Sequence, residues 1–479
     1  MENETSFKLT YATMFNPPEE LHTRYDAALA RVKTRLGQEH AMLIGGQERF
    51  TAEKFENRAP HDTSLVLGLF QKGTARDAAD AMSAARKAFP AWSRTPWQER
   101  VALVRRAADL IDERIFDTSV VVSLEVGKNR MEALGDVAET ADLLRYSCDA
   151  MERNNGFVVE MGRDPLAGFS ARNTSILRPY GVWLVISPFN FPAALSGGPA
   201  GAVLVAGNTL VMKPASDTPW TARLLAECLR DAGVPEGVFN YVTGPGATLG
   251  QALIDSPELD GVTFTGSFEV GMKIYRDFGL GRWVRPAILE LGGKNPAIVS
   301  RHANLEDAAT GIARSAFGLQ GQKCSACSRV FVEAPVYDEL VARVLALARQ
   351  LKLGDPTLRG TNLGPVANRG AYHDFQNFSE DLSQHGHILS GGTVLAEGDF
   401  ARGFFCQPTL AVDLPAAHPL WQREMFVPIT TIAPVQSLDE AMRRASASTK
   451  GSPATIRSLF GQTSETRAAM SGVSLSVVS

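Results

Sequence analysis

Cysteine is scarce in this chain of 479 residues, which has only five: Cys148, Cys228, Cys324, Cys327 and Cys406. An odd and thinly spread set excludes a disulfide framework and indicates a reducing compartment, so we expect a cytoplasmic protein. Cys324 and Cys327 have the spacing of a zinc or redox pair. No second Cys-x-x-Cys and no nearby histidine pair completes a set of four ligands, so we expect no metal.

Excess charge of one sign is also missing. The formal net charge is -4 and the signs are mixed, which argues against a nucleic-acid partner. The first residues lack the basic region and apolar core of a secretory signal. Residues 179–212 carry no charge, but prolines and glycines interrupt them, so we interpret them as buried strand, loop and helix and expect no membrane partner. A small-molecule substrate fits this composition better.

Alternating strand and helix patterns dominate the chain from Gly181 onward and predict α/β domains with parallel sheets. The predicted strands of the first series are Val182–Ile186, Thr209–Met212, Phe239–Val242 and Gly261–Phe264. A second series contains strands at Pro296–Val299 and Val330–Glu333 and helices near Leu305–Phe317 and Tyr337–Leu351. The predicted fold class is therefore α/β, with two doubly wound parallel-sheet domains. Earlier in the chain, Thr95, Pro96 and Gln98 predict a helix start with a capping box.

The predicted domain organisation has four parts. Residues 1–40 form an N-terminal helical extension, residues 41–156 and 181–289 a dinucleotide-binding domain, and residues 290–479 a domain that carries the thiol. Residues 157–180 alternate like a hairpin that protrudes from the main fold. A hairpin with free edges pairs with something, and another subunit is a reasonable candidate, so we expect it to serve oligomerisation.

The stretch Gly318–Arg329 places Cys324 directly after a Gly-Gln turn and before an apolar run. Glycine-permitted turns that present a thiol at the end of an element are suitable places for a nucleophile. The neighbouring Lys323 favours the thiolate. A buried cysteine that merely fills the core is the alternative on this stretch alone.

Three further stretches carry candidate site residues. Residues 244–250 are rich in glycine but do not have the Gly-x-Gly-x-x-Gly spacing, so they are weak evidence for a dinucleotide site. Ser267 lies where a strand ends and a helix begins, and it either holds a phosphate or simply caps the helix. Lys213 ends a strand where a cofactor ribose would lie. Glu290, beside two glycines, is either an ion-pair partner or a general base.

Taken together, these motifs resemble the NAD(P)-dependent aldehyde dehydrogenase superfamily. They occur in that family's order over residues 41 to about 445. The motifs are Ser187–Pro192, Lys213–Ser216, Phe264–Ser267, Glu290–Lys294, Gly321–Cys324 and Glu424–Pro428. Within the superfamily, Ile44–Gly46, Gly321–Arg329 and Thr361–Val366 look like the 1-pyrroline-5-carboxylate dehydrogenase group.

The resemblance implies a catalytic role for three residues. Cys324 would attack the aldehyde carbon of L-glutamate 5-semialdehyde, and the Asn190 amide would stabilise the oxyanion. Glu290 would activate the water that hydrolyses the resulting thioester, which yields L-glutamate in proline or arginine catabolism. Another semialdehyde is the nearest variant. Ser325 is implied as a ligand of the substrate carboxylate.

The resemblance also implies the cofactor site and a homo-oligomer. Lys213 would contact the adenosine ribose, Gly266 and Ser267 the pyrophosphate, and Glu424 with Phe426 the nicotinamide ribose and ring. Many relatives carry a glutamate where this chain has Ser216. Serine removes the repulsion of a 2'-phosphate, so the resemblance implies NAD as cofactor with NADP tolerated.

The pattern departs from the family after about Ala445, where the loop that anchors the substrate's amino acid end and the terminal oligomerisation strand are expected. We therefore expect the C-terminal part of the thiol domain to be incomplete. This leaves two hypotheses. The chain is either a working dehydrogenase or a non-catalytic homologue that binds dinucleotide or co-assembles with a full-length relative.

Overall fold

The structure is a computed structural model that describes residues 17–163, 165–166, 168, 170–280, 283–446 and 477–478. The chain divides into two compact units. Unit 1 comprises Met1–Arg58, Leu65–Glu125 and Arg130–Glu290, and unit 2 comprises Ala59–Ser64, Val126–Asn129 and Leu291–Ser479.

Helices and strands up to residue 290 alternate from β8 onward. The helices are α1 (Glu19–Lys33), α2 (Ala75–Trp92), α3 (Trp97–Glu113), α4 (Ile115–Val126), α5 (Arg130–Arg153), α6 (Ala194–Val205), α7 (Pro219–Asp231), α8 (Gln251–Ile254) and α9 (Phe268–Gly279). The strands are β1 (Gln38–His40), β2 (Met42–Ile44), β3 (Gln47–Arg49), β4 (Lys54–Ala59), β5 (Asp62–Gln71), β6 (Val158–Glu160), β7 (Thr174–Ile176), β8 (Val182–Ile186), β9 (Thr209–Lys213), β10 (Phe239–Tyr241), β11 (Gly261–Thr265) and β12 (Ala287–Glu290).

The main sheet of unit 1 has seven strands in the order β12-β11-β8-β9-β10-β2-β3. Strands β8 to β12 pair in parallel, and β2 joins β10 antiparallel. All five residues of β9 and the first four of β8 are buried, as expected for inner strands of a parallel sheet that is covered on both faces. Residues 179–212 therefore form buried strands and a helix, as the sequence predicted.

The elements after residue 290 form a second α/β arrangement. The helices are α10 (Leu305–Phe317), α11 (Tyr337–Gln350), α12 (Arg369–His385) and α13 (Leu438–Ser446). The strands are β13 (Asn295–Val299), β14 (Cys327–Glu333), β15 (His387–Ser390), β16 (Val394–Leu395), β17 (Phe405–Cys406), β18 (Thr409–Val412), β19 (Ile429–Val435) and β20 (Val477–Val478). Six of these strands form one sheet in the order β15-β18-β19-β14-β13-β20.

Helices cover both faces of this second sheet. Because side chains alternate along a strand, Val330 and Val332 of β14 face one way and Phe331 faces the other. The valines pack in one buried cluster with residues of α10 and α11. Phe331 packs in a second cluster with residues of α12 and α13 and stacks on Trp421 at 5.4 Å between ring centroids. The doubly wound α/β class expected from the sequence is confirmed.

Several predicted elements coincide with observed ones, and one helix start was wrong. The strand Val182–Ile186 and the helix Leu305–Phe317 have the predicted bounds, whereas β14 begins three residues before Val330, at Cys327. The helix expected to be capped by Thr95 begins at Trp97, with Pro96 in the cap position and no side-chain cap. The Thr95 hydroxyl instead donates to the Ala91 carbonyl oxygen at 3.3 Å, at the end of the preceding helix.

The predicted hairpin exists as an antiparallel pair of three-residue strands, β6 and β7. All six residues of these strands are exposed. The structure contains a single chain, so the oligomerisation role of the hairpin stays a prediction. Within the described ranges, no helix is both long enough and apolar enough to cross a bilayer.

Replacing Phe331 by alanine should test the core of unit 2. The ring is 1% exposed, and removing a fully buried phenylalanine costs about 3–5 kcal/mol because the neighbours only partly refill the space. We expect urea denaturation to show a loss of this size in the free energy of unfolding. Phe50→Ala is the control, since that ring is 54% exposed and its loss should cost less than about 0.5 kcal/mol. Equal effects of the two variants would contradict this assignment of the core.

Candidate active site

A left-handed turn positions the candidate nucleophile of unit 2. After α10, the chain makes a tight turn in which Leu319, Gln320 and Gly321 have φ angles of 49°, 53° and 67°. Two non-glycine residues in this region store strain that only surrounding contacts can hold. A Cβ on Gly321 would lie 2.3 Å from the Val427 carbonyl oxygen, so only glycine lets the turn approach the backbone at Val427. The Gln322 side chain secures the turn by accepting a hydrogen bond from the Ala367 amide at 3.0 Å.

Cys324 lies just beyond this turn and is the one exposed cysteine of the five, all of which are described. The Asn295 Nδ2 atom donates to the Cys324 carbonyl oxygen at 2.5 Å and to the Ala326 carbonyl oxygen at 3.3 Å. A Cβ on Gly293 would lie 2.4 Å from the same Cys324 oxygen. The backbone of Cys324 is thus fixed from one side by a side-chain amide and from another by a close glycine. Ser325, next in the chain, is exposed.

Cys327 is chemically unlike Cys324 despite the Cys-x-x-Cys spacing. Its thiol is buried at the start of β14, and burial raises its pKa to about 12. Its Sγ atom donates to the Arg329 carbonyl oxygen at 3.7 Å. A thiol with so high a pKa stays protonated near neutral pH, whereas the nucleophile and metal ligand is the thiolate. Only Cys324 of this pair is therefore suited to nucleophilic chemistry.

Glu424 and Phe426 lie on the loop that leads into β19. The Gly293 amide donates to Glu424 Oε1 at 2.9 Å. A Cβ on Gly292 would lie 2.0 Å from Glu424 Oε2, so a side chain at this position would collide with the carboxylate. Phe426 has a φ of 56°. The segment 292–295 thus contacts both the Cys324 carbonyl and the Glu424 carboxylate.

Two buried basic side chains, those of Lys294 and Arg329, lie in or next to this segment. The Lys294 ammonium is buried and its Nζ atom has no hydrogen-bond partner among the described residues. Burial, and then the nearby Arg329 guanidinium, lower the pKa of Lys294 to about 7. Arg329 donates to the carbonyl oxygens of Lys294 at 2.8 Å, Trp421 at 3.0 Å and Ala445 at 2.8 Å. One guanidinium therefore connects the residue before β13, the segment before Glu424 and the end of α13.

In unit 1, the remaining predicted site residues collect at one edge of the sheet. Lys213 is the last residue of β9 and pairs in register with Ile186, the last residue of β8. Glu290 is the last residue of β12 and pairs with Thr265 at the end of β11. Parallel strands have their carboxyl ends at the same edge, which is where ligands bind in doubly wound folds. Asn190 follows β8 at this edge and is buried.

The cofactor candidates of unit 1 differ in exposure. Lys213 is buried, its Nζ atom donates to the Pro214 carbonyl oxygen at 3.1 Å, and burial lowers its pKa to about 8. Ser216 is exposed three residues later. Gly266 donates its amide to the Glu290 carbonyl oxygen at 3.0 Å. Ser267 caps α9 by accepting a hydrogen bond from the Val270 amide at 3.4 Å, as one of its two interpretations expected. Its side chain is also exposed, which leaves room for a ligand.

Asn295 was not among the site residues predicted from the sequence. An asparagine at the start of an apolar strand looks like an ordinary turn residue, and its partners Cys324 and Ala326 lie 29 and 31 residues away. Of the two glycines noted beside Glu290, Gly293 permits close approach to the Cys324 carbonyl oxygen. Glu290, which the sequence offered as an ion-pair partner or a general base, is exposed on the edge strand β12.

A doubly wound sheet with polar residues at its carboxyl edge, in a chain that presents one exposed thiol, is the arrangement of a thiol-dependent oxidoreductase. The chain belongs to the aldehyde dehydrogenase family, because the family model described as "Aldehyde dehydrogenase family" matches residues 48–470. The match runs past Ala445, so the resemblance extends further than the sequence analysis expected. The segment 447–476, where that departure was placed, lies outside the described residues.

Similar proteins carry consistent names. The chain is 38% identical over 424 residues to the 1-pyrroline-5-carboxylate dehydrogenase of Geobacillus thermodenitrificans, which covers 88% of this chain and 80% of the relative. It is similar in structure to a 1-pyrroline-5-carboxylate dehydrogenase from Thermus with bound NAD, with a TM-score of 0.86, 34% identity and coverage of 93% of this chain and 85% of that one. Betaine aldehyde dehydrogenase from Staphylococcus aureus in complex with NAD+ gives a TM-score of 0.82 and 26% identity, over 88% and 83% of the two chains.

The close approach of Gly293 to Cys324 can be tested by Gly293→Ala. The added methyl group must displace the Cys324 carbonyl, which also moves the thiol. We expect the rate at which iodoacetamide alkylates Cys324 to change by roughly tenfold, since small displacements of a positioned group have effects of this order. The rate is measured by mass spectrometry of the alkylated peptide.

Gly311→Ala is the matched control, because a Cβ at this position in α10 would meet nothing within 4 Å. Alanine in a helix interior should instead stabilise the protein by about 0.5–1 kcal/mol and leave the alkylation rate unchanged. The same alkylation rate in wild type and Gly293→Ala would refute the constraint.

Proposed function

We propose that this protein oxidises L-glutamate 5-semialdehyde, the open form of 1-pyrroline-5-carboxylate, to L-glutamate with NAD(P) in proline or arginine catabolism. The observation that carries the proposal is the single exposed thiol of Cys324 on a rigid turn in a member of this family. The names of the relatives at about 38% identity over most of the chain supply the substrate.

In the proposed mechanism, the Cys324 thiolate attacks the aldehyde carbon and forms a thiohemiacetal. The Asn190 side-chain amide and the Cys324 backbone N–H stabilise the oxyanion, and donors of this kind are worth roughly 3–4 kcal/mol each. When bound, the cofactor supplies the acceptor for the hydride that leaves this adduct, and a thioester remains on Cys324. Glu290 takes a proton from water, which hydrolyses the thioester and releases the acid and the thiolate. The balance is aldehyde, NAD(P)⁺ and water to acid, NAD(P)H and a proton.

The residues present fit a dinucleotide. Gly266 and Ser267 precede α9, a twelve-residue helix whose N-terminal amides favour an anion such as a pyrophosphate. Lys213 would hold the adenosine ribose, and Ser216 leaves space and no negative charge where a 2'-phosphate would lie. In unit 2, Glu424 and Phe426 would hold the nicotinamide ribose and ring. NAD is the proposed cofactor, with NADP tolerated.

We further propose that Ser325 contacts one end of the substrate carboxylate and that the protein is a cytoplasmic homo-oligomer. The exposed thiol of Cys324 fits a reducing compartment. The hairpin formed by β6 and β7 exposes Val158, Val159 and Ile176 at 39%, 56% and 47%. Apolar strand edges of this kind are suited to cover by a second copy.

Cys324→Ala tests the proposed nucleophile. Without the thiol, no thiohemiacetal forms, so we expect NADH production from 1-pyrroline-5-carboxylate to fall at least about 10⁴-fold while NAD⁺ affinity stays within about twofold. Activity is followed by NADH absorbance and affinity by calorimetry. Cys406→Ala is the control, since that cysteine is buried and lies outside the proposed site.

The same assay distinguishes the two hypotheses for the chain. Purified wild-type protein is supplied with 1-pyrroline-5-carboxylate and, separately, with a simple aliphatic aldehyde. Turnover of the first supports the proposal, and turnover of the second alone points to a different aldehyde substrate. No turnover of either by folded protein that binds NAD⁺ would overturn the proposal and support a non-catalytic homologue.

Lys213 gives a pH prediction for the cofactor. Its ammonium is charged below its pKa of about 8 and loses that charge above it. The 2'-phosphate of NADP⁺ is negative, so NADP⁺ should bind more weakly as pH rises from 7 to 9, by about tenfold relative to NAD⁺. A bound phosphate raises the pKa of the ammonium, which moves the change towards the upper end of this window.

Dissociation constants of both cofactors are measured by calorimetry across this range. In Lys213→Gln, which has no charge to lose, the NADP⁺ to NAD⁺ ratio should be independent of pH. The same pH dependence in Lys213→Gln as in wild type would refute the assignment of Lys213.

A further inference from the structure

We propose that Asp381, His385 and His418 bind a divalent transition-metal ion, with Zn²⁺ the best fit. Among the residues that the structure describes, they are the one group of three or more histidine, cysteine or carboxylate side chains close enough to share an ion. They lie in unit 2, outside the set of residues proposed for catalysis. We call them the two-histidine cluster.

Secondary structure brings the three side chains together. Asp381 and His385 are one turn apart near the end of α12, so their side chains share a face of the helix. His418 comes from the loop that follows β18 and forms the cap of a short 3₁₀ turn, Pro419–Trp421. The cluster therefore joins two segments that are 33 residues apart at their nearest members.

The distances suit a shared ion. Asp381 Oδ1 lies 2.8 Å from His385 Nδ1 and 3.4 Å from His418 Nε2. One ligand atom from each residue lies within 4.8 Å of the others. A tetrahedral zinc ion with bonds of about 2.0–2.1 Å places its ligand atoms about 3.3 Å apart. Small side-chain rotations would bring all three ligand atoms to such an ion, with a water as the fourth ligand.

Charge favours a metal ion over two protonated rings at this place. The imidazole centroids are 5.0 Å apart, and two imidazolium ions at this separation would repel each other while only one carboxylate lies between them. A dication bound through neutral imidazole nitrogens needs no charge on either ring. Two imidazoles and one carboxylate are the ligand types that zinc accepts in sites with an open position.

The loop that carries His418 is already rigid. The His418 amide donates to the Pro415 carbonyl oxygen at 2.9 Å, and the Trp421 indole donates to the same oxygen at 3.0 Å. His418 Nδ1 accepts from the Leu420 amide at 3.3 Å, which places the proton of the neutral ring on Nε2. Metal binding at Nε2 moves that proton to Nδ1 and exchanges this long hydrogen bond for a coordinate bond.

The ion would connect α12 to the segment that leads to the proposed cofactor residues. His418 is six residues before Glu424 and eight before Phe426 in the sequence. A metal cross-link at His418 restrains the start of this segment, as metal sites do when they join elements distant in sequence. The metal-binding proposal does not depend on the proposed function, because its ligands and its test involve no substrate.

Zinc calorimetry on chelator-treated full-length protein tests the site. The Cys324→Ser background removes the exposed thiol, which would otherwise bind zinc itself. We expect one zinc ion per chain, and a loss of affinity of at least about tenfold in Asp381→Asn and in His418→Asn. Asparagine at 418 keeps a side-chain acceptor for the 3₁₀ turn, so the loop fold is retained. Thermal melts of the metal-free variants check that each is folded.

His373→Ala is the matched control, since His373 is an exposed histidine on the same helix but outside the cluster. Its zinc affinity should equal that of the background protein. Co²⁺ supplies a second readout, because tetrahedral nitrogen and oxygen ligation gives a visible d–d spectrum without a thiolate charge-transfer band. No zinc uptake, unchanged affinity in both cluster variants, or equal weakening in His373→Ala would overturn the proposal.

Discussion

Parallel strand pairing is the constraint that decides, within each unit, which residues lie close together. In a parallel sheet, neighbouring strands end at the same edge, and the chain must leave that edge through loops with unpaired backbone groups. In unit 1, this brings Lys213, Gly266 and Glu290 to one edge, although they are far apart in sequence. In unit 2, it places the start of β14, just after Cys324, beside Asn295 at the start of β13.

Within unit 2, buried polar groups connect the segments at this edge. Arg329 satisfies carbonyl oxygens from three separate segments, and its own pKa falls to about 10 because it is buried. A buried guanidinium is tolerated when its donors are paired, and here they are paired with backbone. Lys294 is buried beside it without a partner in the described part of the chain. Such a group is costly in a core and common at functional sites.

The sequence predicted the α/β class and many elements well, because strand and helix patterns are local. The helix Leu305–Phe317 was found with both ends correct, since Asn304 is a strong cap and Gly318 follows its end. Local patterns failed where a tertiary contact decided. Strand β14 begins at Cys327, three residues before the apolar run, because it pairs with β13.

In the candidate site, too, local motifs were predictable from the sequence and contacts between distant residues were not. Motifs predicted Cys324, Lys213 and Glu290 as site residues, but no motif predicts that the Asn295 side chain donates to the Cys324 carbonyl oxygen. The cysteine spacing predicted no metal at Cys324 and Cys327, and it carries no information on the two-histidine cluster, whose members lie on α12 and a distant loop. Residues that meet only in the folded chain leave no local signal.

The strained turn before Cys324 also has a consequence for how the protein folds. Leu319 and Gln320 adopt left-handed angles, and the residues beside them contact distant parts of the chain. The Gln322 side chain accepts from Ala367, 45 residues away, and Gly321 approaches Val427 still further along the chain. Contacts of high sequence separation form late because long loops must close first. We therefore expect the geometry of the thiol to be acquired late in folding, after the ribosome has released the chain beyond Val427.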